Sequence, residues 1–142
     1  MAQFEATRRA AGFTLIELMV VVVIVAILAK IAIPSYQRYI QRGDLVEGTQ
    51  ALAQYRVQME QYYQDNNTYS NGGACGVAAP TLVNFTLSCV IASAGQQYTA
   101  TATGVSSGLL NNFVYTIDET NDQSTVSTGN WGLSSGNSWV VR

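Results

Sequence analysis

A carboxylate inside an apolar run is the first feature of this chain that could do chemistry. Residues 13–33 are aliphatic apart from the initial Phe13 and three interruptions, which are Thr14, Glu17 and Lys30. A run of this length matches the ~20 residues that a helix needs to cross a bilayer. An ionised glutamate in hydrocarbon costs about 2.5 kcal/mol or more on insertion scales, so such a residue normally has a partner. The sequence therefore predicts a partner for Glu17.

The residues before this run indicate which end of it stays in the cytoplasm. Arg8 and Arg9 precede the run, and the positive-inside rule places them on the cytoplasmic side. A secretory signal has its small residues after its apolar region, whereas here they come before it and end at Gly12. Cleavage after Gly12 would therefore keep the membrane helix. It would also create an α-amino group at Phe13, close to Glu17.

The motif Gly12-Phe13-Thr14-Leu15-Ile16-Glu17, between a short basic leader and a Val/Ile/Ala-rich helix, resembles the type IV prepilins. The resemblance implies that a prepilin peptidase cuts between Gly12 and Phe13 and methylates the Phe13 amine. It also implies that Glu17 faces the N-terminal amine of a neighbouring subunit during filament assembly. Opposite charges in a dry bundle stabilise each other only when they are brought together, which favours insertion beside a neighbour. The alternative interpretation is a single-pass anchor with an unpaired Glu17.

The composition predicts one small exported domain behind this helix. The chain has 142 residues, no histidine, two cysteines and a formal charge of −2, which becomes −3 when residues 1–12 are removed. The usual acid–base, metal and nucleophile constellations are missing. The sequence therefore predicts neither an enzyme nor a cofactor or metal site.

A second helical pattern follows the apolar run. Its apolar residues recur at spacings of seven, three, four and three, as on one face of an amphipathic helix. They are Leu45, Leu52, Tyr55, Met59 and Tyr62. The helix is expected to run from about residue 13 to residue 64.

Pro34 interrupts this expected helix. Proline lacks an N–H and crowds the preceding turn, so it kinks or breaks a helix. We therefore expect a kink or local unwinding between Lys30 and Gly48.

The remainder of the chain predicts a sheet. Alternating residues near 85–91, 97–103 and 112–117, together with residues 124–127, indicate about four antiparallel strands. The fold class is therefore α+β: a long N-terminal helix, membrane-spanning in its first half and amphipathic in its second, packed on a roughly four-stranded antiparallel sheet. The resemblance to pilins implies the same architecture. The expected divisions are a cleaved leader 1–12, a membrane helix 13–41 and a headgroup 42–142, which contains a helix 42–65, a loop 66–81 and a sheet 82–142.

Two short features of the headgroup have competing interpretations. Cys75 and Cys89 form an even pair in an exported domain, which predicts a disulfide that holds the loop to the first strand. Closing a loop of this length contributes ~3 kcal/mol in the chain-entropy model.

The acidic segment 118–122 is predicted to be a hairpin turn rather than a calcium loop, because it lacks the spacing of a complete cation site.

The resemblance favours a minor subunit of a type IV pilus. The helix-end segment 61–69 and the pair Trp131 and Trp139 are similar to minor pilins, and the cysteines lie earlier than in most major pilins. The implied partners are other pilin subunits, the prepilin peptidase, the inner membrane and the pilus assembly machinery. The subunit would sit in the inner membrane with a periplasmic headgroup and later in an extracellular pilus serving adhesion, twitching motility or DNA uptake.

Two alternative functions stay open. A type II secretion pseudopilin shares the leader and helix but usually lacks a disulfide, so Cys75 and Cys89 disfavour it. A DNA-binding competence pilin should expose a basic groove. After Arg56 the chain has only one basic residue, Arg142, so nucleic-acid binding is not predicted.

Overall fold

One long helix and a four-stranded sheet make up the computed structural model, which describes residues 12–131 and 135–141. The helix, α1, spans Leu15–Asn66. The chain divides into two compact units, Met1–Gln37 and Arg38–Arg142, so that α1 contributes to both. The long helix predicted from the sequence is confirmed, with ends within two residues of the expected ones.

The described part of the first unit is helical from Leu15 onwards. Its side chains between Leu15 and Gln37 are exposed, apart from a half-buried Ala29. By length and composition, α1 contains a segment apolar enough to cross a membrane, with a mean hydropathy of 2.8. The helix continues through Pro34, so the local unwinding considered for this region is absent. The alternative outcome, a kink at Pro34, stays a prediction.

The part of α1 in the second unit buries one face. Leu45, Leu52, Tyr55 and Met59 are almost fully buried, as their spacing predicts, whereas Tyr62 is only half-buried. Gly48 has a packing role in this part of the helix. A Cβ on Gly48 would lie 2.9 Å from the Phe85 ring, so the absence of a side chain lets the helix approach the sheet.

The sheet contains the four strands that the sequence predicts. In chain order these are β3 (Phe85–Ala92), β4 (Gln97–Gly104), β5 (Phe113–Asp118) and β6 (Gln123–Thr128), and they pair antiparallel in the order β3-β4-β5-β6. Before them, β1 (Ser70–Asn71) and β2 (Ala74–Cys75) form a small hairpin. The sequence-based expectation of a loop without strands over 66–81 was wrong here. Two-residue strands are too short to produce an alternating pattern.

The core lies between α1 and one face of this sheet. Alternation along the strands places the inward side chains on the helix side, because successive residues of a strand point to opposite faces. The small residues Ala100 and Ala102 occupy the middle of β4, where on β5 Ala102 pairs with Tyr115 and Ala100 with Ile117. The buried apolar residues of the sheet are Phe85, Leu87, Tyr98, Ala100, Ala102, Phe113, Tyr115 and Ile117, and Thr125 and Thr128 of β6 are buried as well. Burial raises the pKa of Tyr115 to about 12, so this residue stays neutral in the core.

Three interactions connect the segment between α1 and β3 to these two elements. The structure joins Cys75 to Cys89 by a disulfide, with the two Cα atoms 6.2 Å apart, as the sequence predicts. The Tyr55 hydroxyl donates a hydrogen bond of 2.7 Å to the Val77 carbonyl. The third interaction is made by the carboxylate of Glu47 on α1.

Glu47 accepts three hydrogen bonds from the residues that precede β3. The Val83 N–H donates to one oxygen at 2.8 Å, and the Asn84 N–H and side-chain amide donate to the other at 3.1 and 2.9 Å. Burial raises the pKa of Glu47, but the hydrogen bonds from Val83 and Asn84 outweigh it, and the net pKa lies below its ordinary value of 4.5. The ionised carboxylate therefore helps to fix the entry into the sheet.

The acidic segment 118–122 is the turn between β5 and β6. Asp118 Oδ1 accepts hydrogen bonds from the Thr120 N–H and hydroxyl at 2.9 and 2.7 Å and from the Asp122 N–H at 2.9 Å. The short side chain of aspartate often accepts hydrogen bonds from the backbone of a turn in this way. The prediction of a hairpin turn is confirmed.

Candidate processing and assembly site

The N-terminal end of α1 is capped by a threonine. Thr14 directly precedes the first helical residue, Leu15, and its Oγ1 accepts a hydrogen bond of 3.3 Å from the Glu17 N–H. The first N–H groups of a helix have no partner within the helix, and a threonine at this position satisfies one of them. The role of Thr14 was missed in the sequence, although Thr followed three residues later by Glu is a known start signal.

Glu17 lies in the first turn of this capped helix, and its side chain is exposed. Within the described residues no group pairs with its carboxylate. The positive end of the helix dipole favours an anion at this position, but that effect is worth only ~0.3–1 kcal/mol. The partner that the sequence predicts for Glu17 is not found among the described residues and stays a prediction.

The predicted cleavage site immediately precedes the cap. Phe13 is 82% exposed, and a Cβ added at Gly12 would meet no atom within 4 Å outside its two chain neighbours. Arg8 and Arg9 lie outside the described residues. The structure thus brings Gly12, Phe13 and Glu17 to one helix end. The other predicted site residues lie elsewhere, Pro34 further along α1 and the cysteine pair in the second unit.

An apolar stripe runs along the helix from this end. Its members lie at spacings of three, four, seven and eight residues from the first, which places them on one helix face. They are Ile16, Met19, Val20, Val23 and Ile24, and they line a groove without polar surface. Burial of this face against lipid or against another helix is favourable in either case, because the hydrophobic effect has no directional requirement.

Comparisons with known proteins agree with these features. Residues 34–128 match the family described as "Type IV minor pilin ComP, DNA uptake sequence receptor", which is well over half of the chain. Residues 7–32 match the "Prokaryotic N-terminal methylation motif", a segment that includes Gly12, Phe13 and Glu17. The chain belongs to the type IV minor pilin family. The resemblance seen in the sequence of this pilin, and the fold class it implies, are confirmed.

Individual relatives match parts of this pilin. It is 37% identical over 99 residues to the fimbrial protein EcpC of Eikenella corrodens, which covers 69% of the chain and 65% of the relative. It is 40% identical over 76 residues to prepilin peptidase-dependent protein D of Escherichia coli (strain K12), covering 52% of each. The chain thus spans between half and two thirds of these relatives. A solved type IV pilin from Shewanella oneidensis has a TM-score of 0.48 and 14% identity, with 66% of this chain and 99% of that chain covered.

Proposed function

We propose that this pilin is a minor structural subunit of a type IV pilus. The observation that carries the proposal is the Glu17 carboxylate, which has no partner among the described residues, at the capped start of an exposed apolar helix. A lone membrane anchor gains nothing from an intramembrane charge, whereas a subunit that must find a neighbour does. No catalytic step is part of this function.

Processing comes first in the proposed sequence of events. Arg8 and Arg9 keep the leader on the cytoplasmic side, and the prepilin peptidase cuts between Gly12 and Phe13 and methylates the Phe13 amine. The exposure of Phe13 just before the helix supports access of the peptidase to this bond. The helix then holds the subunit in the inner membrane, with the headgroup in the periplasm.

Assembly follows from the charges left at the helix end. The Glu17 carboxylate pairs with the Phe13 amine of another pilin subunit, and both charges leave lipid for a filament interior. Each charge alone is costly in hydrocarbon, and their mutual attraction in a low dielectric offsets that cost. The assembly machinery then adds the pair to the growing pilus, and the apolar face of α1 is covered by neighbouring helices.

The test is a comparison of two substitutions in the apolar run. Glu17→Leu removes the pairing charge, and Lys30→Leu removes the other charge of the same run as a matched control. We expect Glu17→Leu to leave processed protein in the inner membrane and to lower its amount in sheared pili at least tenfold. Lys30→Leu should enter pili at the native level. The measurement is the ratio of this protein in the sheared fraction to that in the membrane fraction.

Two results would overturn the proposal. Equal incorporation of Glu17→Leu and the native chain would remove the assembly role of Glu17. Intact-mass analysis that finds Met1 retained in the membrane-inserted protein would remove the processing step. Equal loss for both variants would indicate that any change of charge in the run disturbs insertion, which also contradicts the specific role of Glu17.

A DNA uptake receptor is the second candidate, and the description of the matched family favours it. The charges oppose it, because residues 38–142 contain 4 basic and 7 acidic residues. Binding to DNA depends largely on neutralising phosphates with lysine and arginine. We therefore expect only weak retardation of duplex DNA by the full chain in detergent micelles. Tight binding that falls steeply with added salt would make DNA reception the leading function.

A further inference from the structure

A cleft in the second unit has no role in the proposed function. It has a volume of about 330 Å³, which is at the lower end of the range for small-molecule sites. One wall comes from Gln41 on α1, and a second comes from the segment between β4 and β5. A third comes from a short 3-10 helix, Gly129–Trp131, which follows β6. The lining residues are Gln41, Gly108, Leu109, Asn111, Asn112, Phe113 and Trp131.

The aromatic wall of this cleft is held in place before any ligand binds. The Trp131 indole N–H donates a hydrogen bond of 3.1 Å to Gln41 Oε1, and Gln41 Nε2 donates one of 3.1 Å to the Leu109 carbonyl. The Trp131 ring also packs edge-on against Phe113, with the ring centroids 5.3 Å apart. Gln41 therefore ties together two walls that are far apart in sequence. Fixed walls lower the ordering cost of binding.

The polar lining of the cleft includes two side-chain amides that can form hydrogen bonds with a ligand. Asn111 and Asn112 are exposed, and no group among the described residues pairs with their side-chain amides. Their backbone is nonetheless constrained, because Asn112 has a φ of 69° and a Cβ on Gly129 would lie 2.8 Å from the Asn111 carbonyl. Each amide offers a donor beside an acceptor, which is the pattern that adjacent hydroxyl groups complement.

None of the lining residues carries a charge, so the cleft suits a neutral ligand. We propose that it binds a neutral pyranose unit of a glycan. The C–H face of the sugar packs on Trp131 and the exposed Leu109, and its hydroxyls exchange hydrogen bonds with Asn111 and Asn112. A nucleobase also presents paired donors and acceptors, but its phosphates need cations that this lining lacks. The proposal does not depend on pilus assembly.

The experiment uses the fact that the chain contains two tryptophans. The full chain, labelled with ¹⁵N, is placed in micelles of a zwitterionic detergent without a sugar headgroup. Its two indole N–H resonances are assigned with Trp139→Phe. Methyl glycosides of glucose, galactose, mannose and the two N-acetylhexosamines are then titrated. We expect a saturable shift of the Trp131 resonance with at least one sugar, while the Trp139 resonance, whose N–H binds the Thr116 carbonyl, serves as an internal reference.

A pair of matched variants assigns the binding to the cleft. Asn112→Gly removes an amide but tolerates the positive φ, and we expect affinity for the bound sugar to fall about tenfold. Asn121→Gly makes the same change at another exposed asparagine with a φ of 66°, in the turn between β5 and β6, and should leave affinity unchanged. No shift of the Trp131 resonance with any sugar, or equal affinity in Asn112→Gly and the native chain, would overturn the proposal. A shift with a short DNA strand alone would assign the cleft to nucleic acid instead. Pilus incorporation is measured separately and does not enter this result.

Discussion

The first half of α1, residues 15–37, and its second half, residues 38–66, differ in whether their apolar side chains are buried within the protein. In the first half Leu28 is 61% exposed, and apart from the half-buried Ala29 its neighbours on every side of the helix are exposed as well. In the second half Leu52 is fully buried, and polar residues such as Gln50 and Gln54 occupy the outer face. A helix that is apolar all round needs a partner outside its own domain, whereas a helix with one apolar stripe can bury it against its own sheet. One continuous helix thus has two kinds of partner.

Truncating a leucine in each half should give the largest contrast. Leu52→Ala leaves a cavity in a packed core, and we expect it to lower the free energy of unfolding of the headgroup by about 2–5 kcal/mol. Leu28→Ala removes the same atoms from an exposed position and should leave that free energy unchanged. The measurement is urea unfolding of the full chain in micelles, followed by the fluorescence of Trp131 and Trp139. Equal effects of the two substitutions would mean that the first half of α1 belongs to the headgroup core.

Elements with a regular period could be predicted from the sequence. Leu45, Leu52 and Met59 repeat every seven residues, and β3, β4 and β5 alternate over at least six residues, so both patterns have enough repeats to be recognised. The hairpin of β1 and β2 has no such repeat. Its position depends on the positive φ of Gly72 and Gly73 and on the disulfide that follows, which act locally.

The candidate sites were predictable to different degrees for a related reason. The motif that ends at Glu17 is contiguous, so it is visible in the sequence, and its resemblance to type IV prepilins implies its role. By contrast, Gln41 and Trp131 are 90 residues apart, and Glu47 and Asn84 are 37 apart. Pairs of this kind leave no local pattern, because the fold alone brings them together.

Removing the Glu47 carboxylate, which binds the segment before β3, should have a smaller effect on the free energy of unfolding. Glu47→Gln removes the charge that accepts three hydrogen bonds, and we expect a loss of about 1–2 kcal/mol in the free energy of unfolding. Folding lowers the pKa of Glu47 below 4.5. Its contribution is therefore complete above the unfolded-state pKa and is lost as the pH falls through the folded-state pKa.

Unfolding measured over a series of pH values checks this assignment. The difference in stability between the native chain and Glu47→Gln should be constant at neutral pH and should shrink as the solution becomes acidic below about pH 4.5. A difference that grows on acidification would contradict the lowered pKa. Glu17→Gln is the control from the first half, where the carboxylate has no partner among the described residues, and it should not change headgroup stability at any pH.

The smallest effect should come from the cap at the start of the first half. Thr14→Ala removes the Oγ1 that accepts from the Glu17 N–H, and loss of an N-cap costs ~1 kcal/mol. Since the first half is stabilised apart from the headgroup core, the effect should stay in the first turn. Hydrogen exchange of the Glu17 amide in micelles should become about fivefold faster, as expected for ~1 kcal/mol.

Thr14→Ser keeps the acceptor and should exchange at the native rate, while urea unfolding of the headgroup should be the same for all three chains. A shift of the headgroup midpoint in Thr14→Ala would show that the first turn is coupled to the sheet, and the contrast between the two halves of α1 would fail.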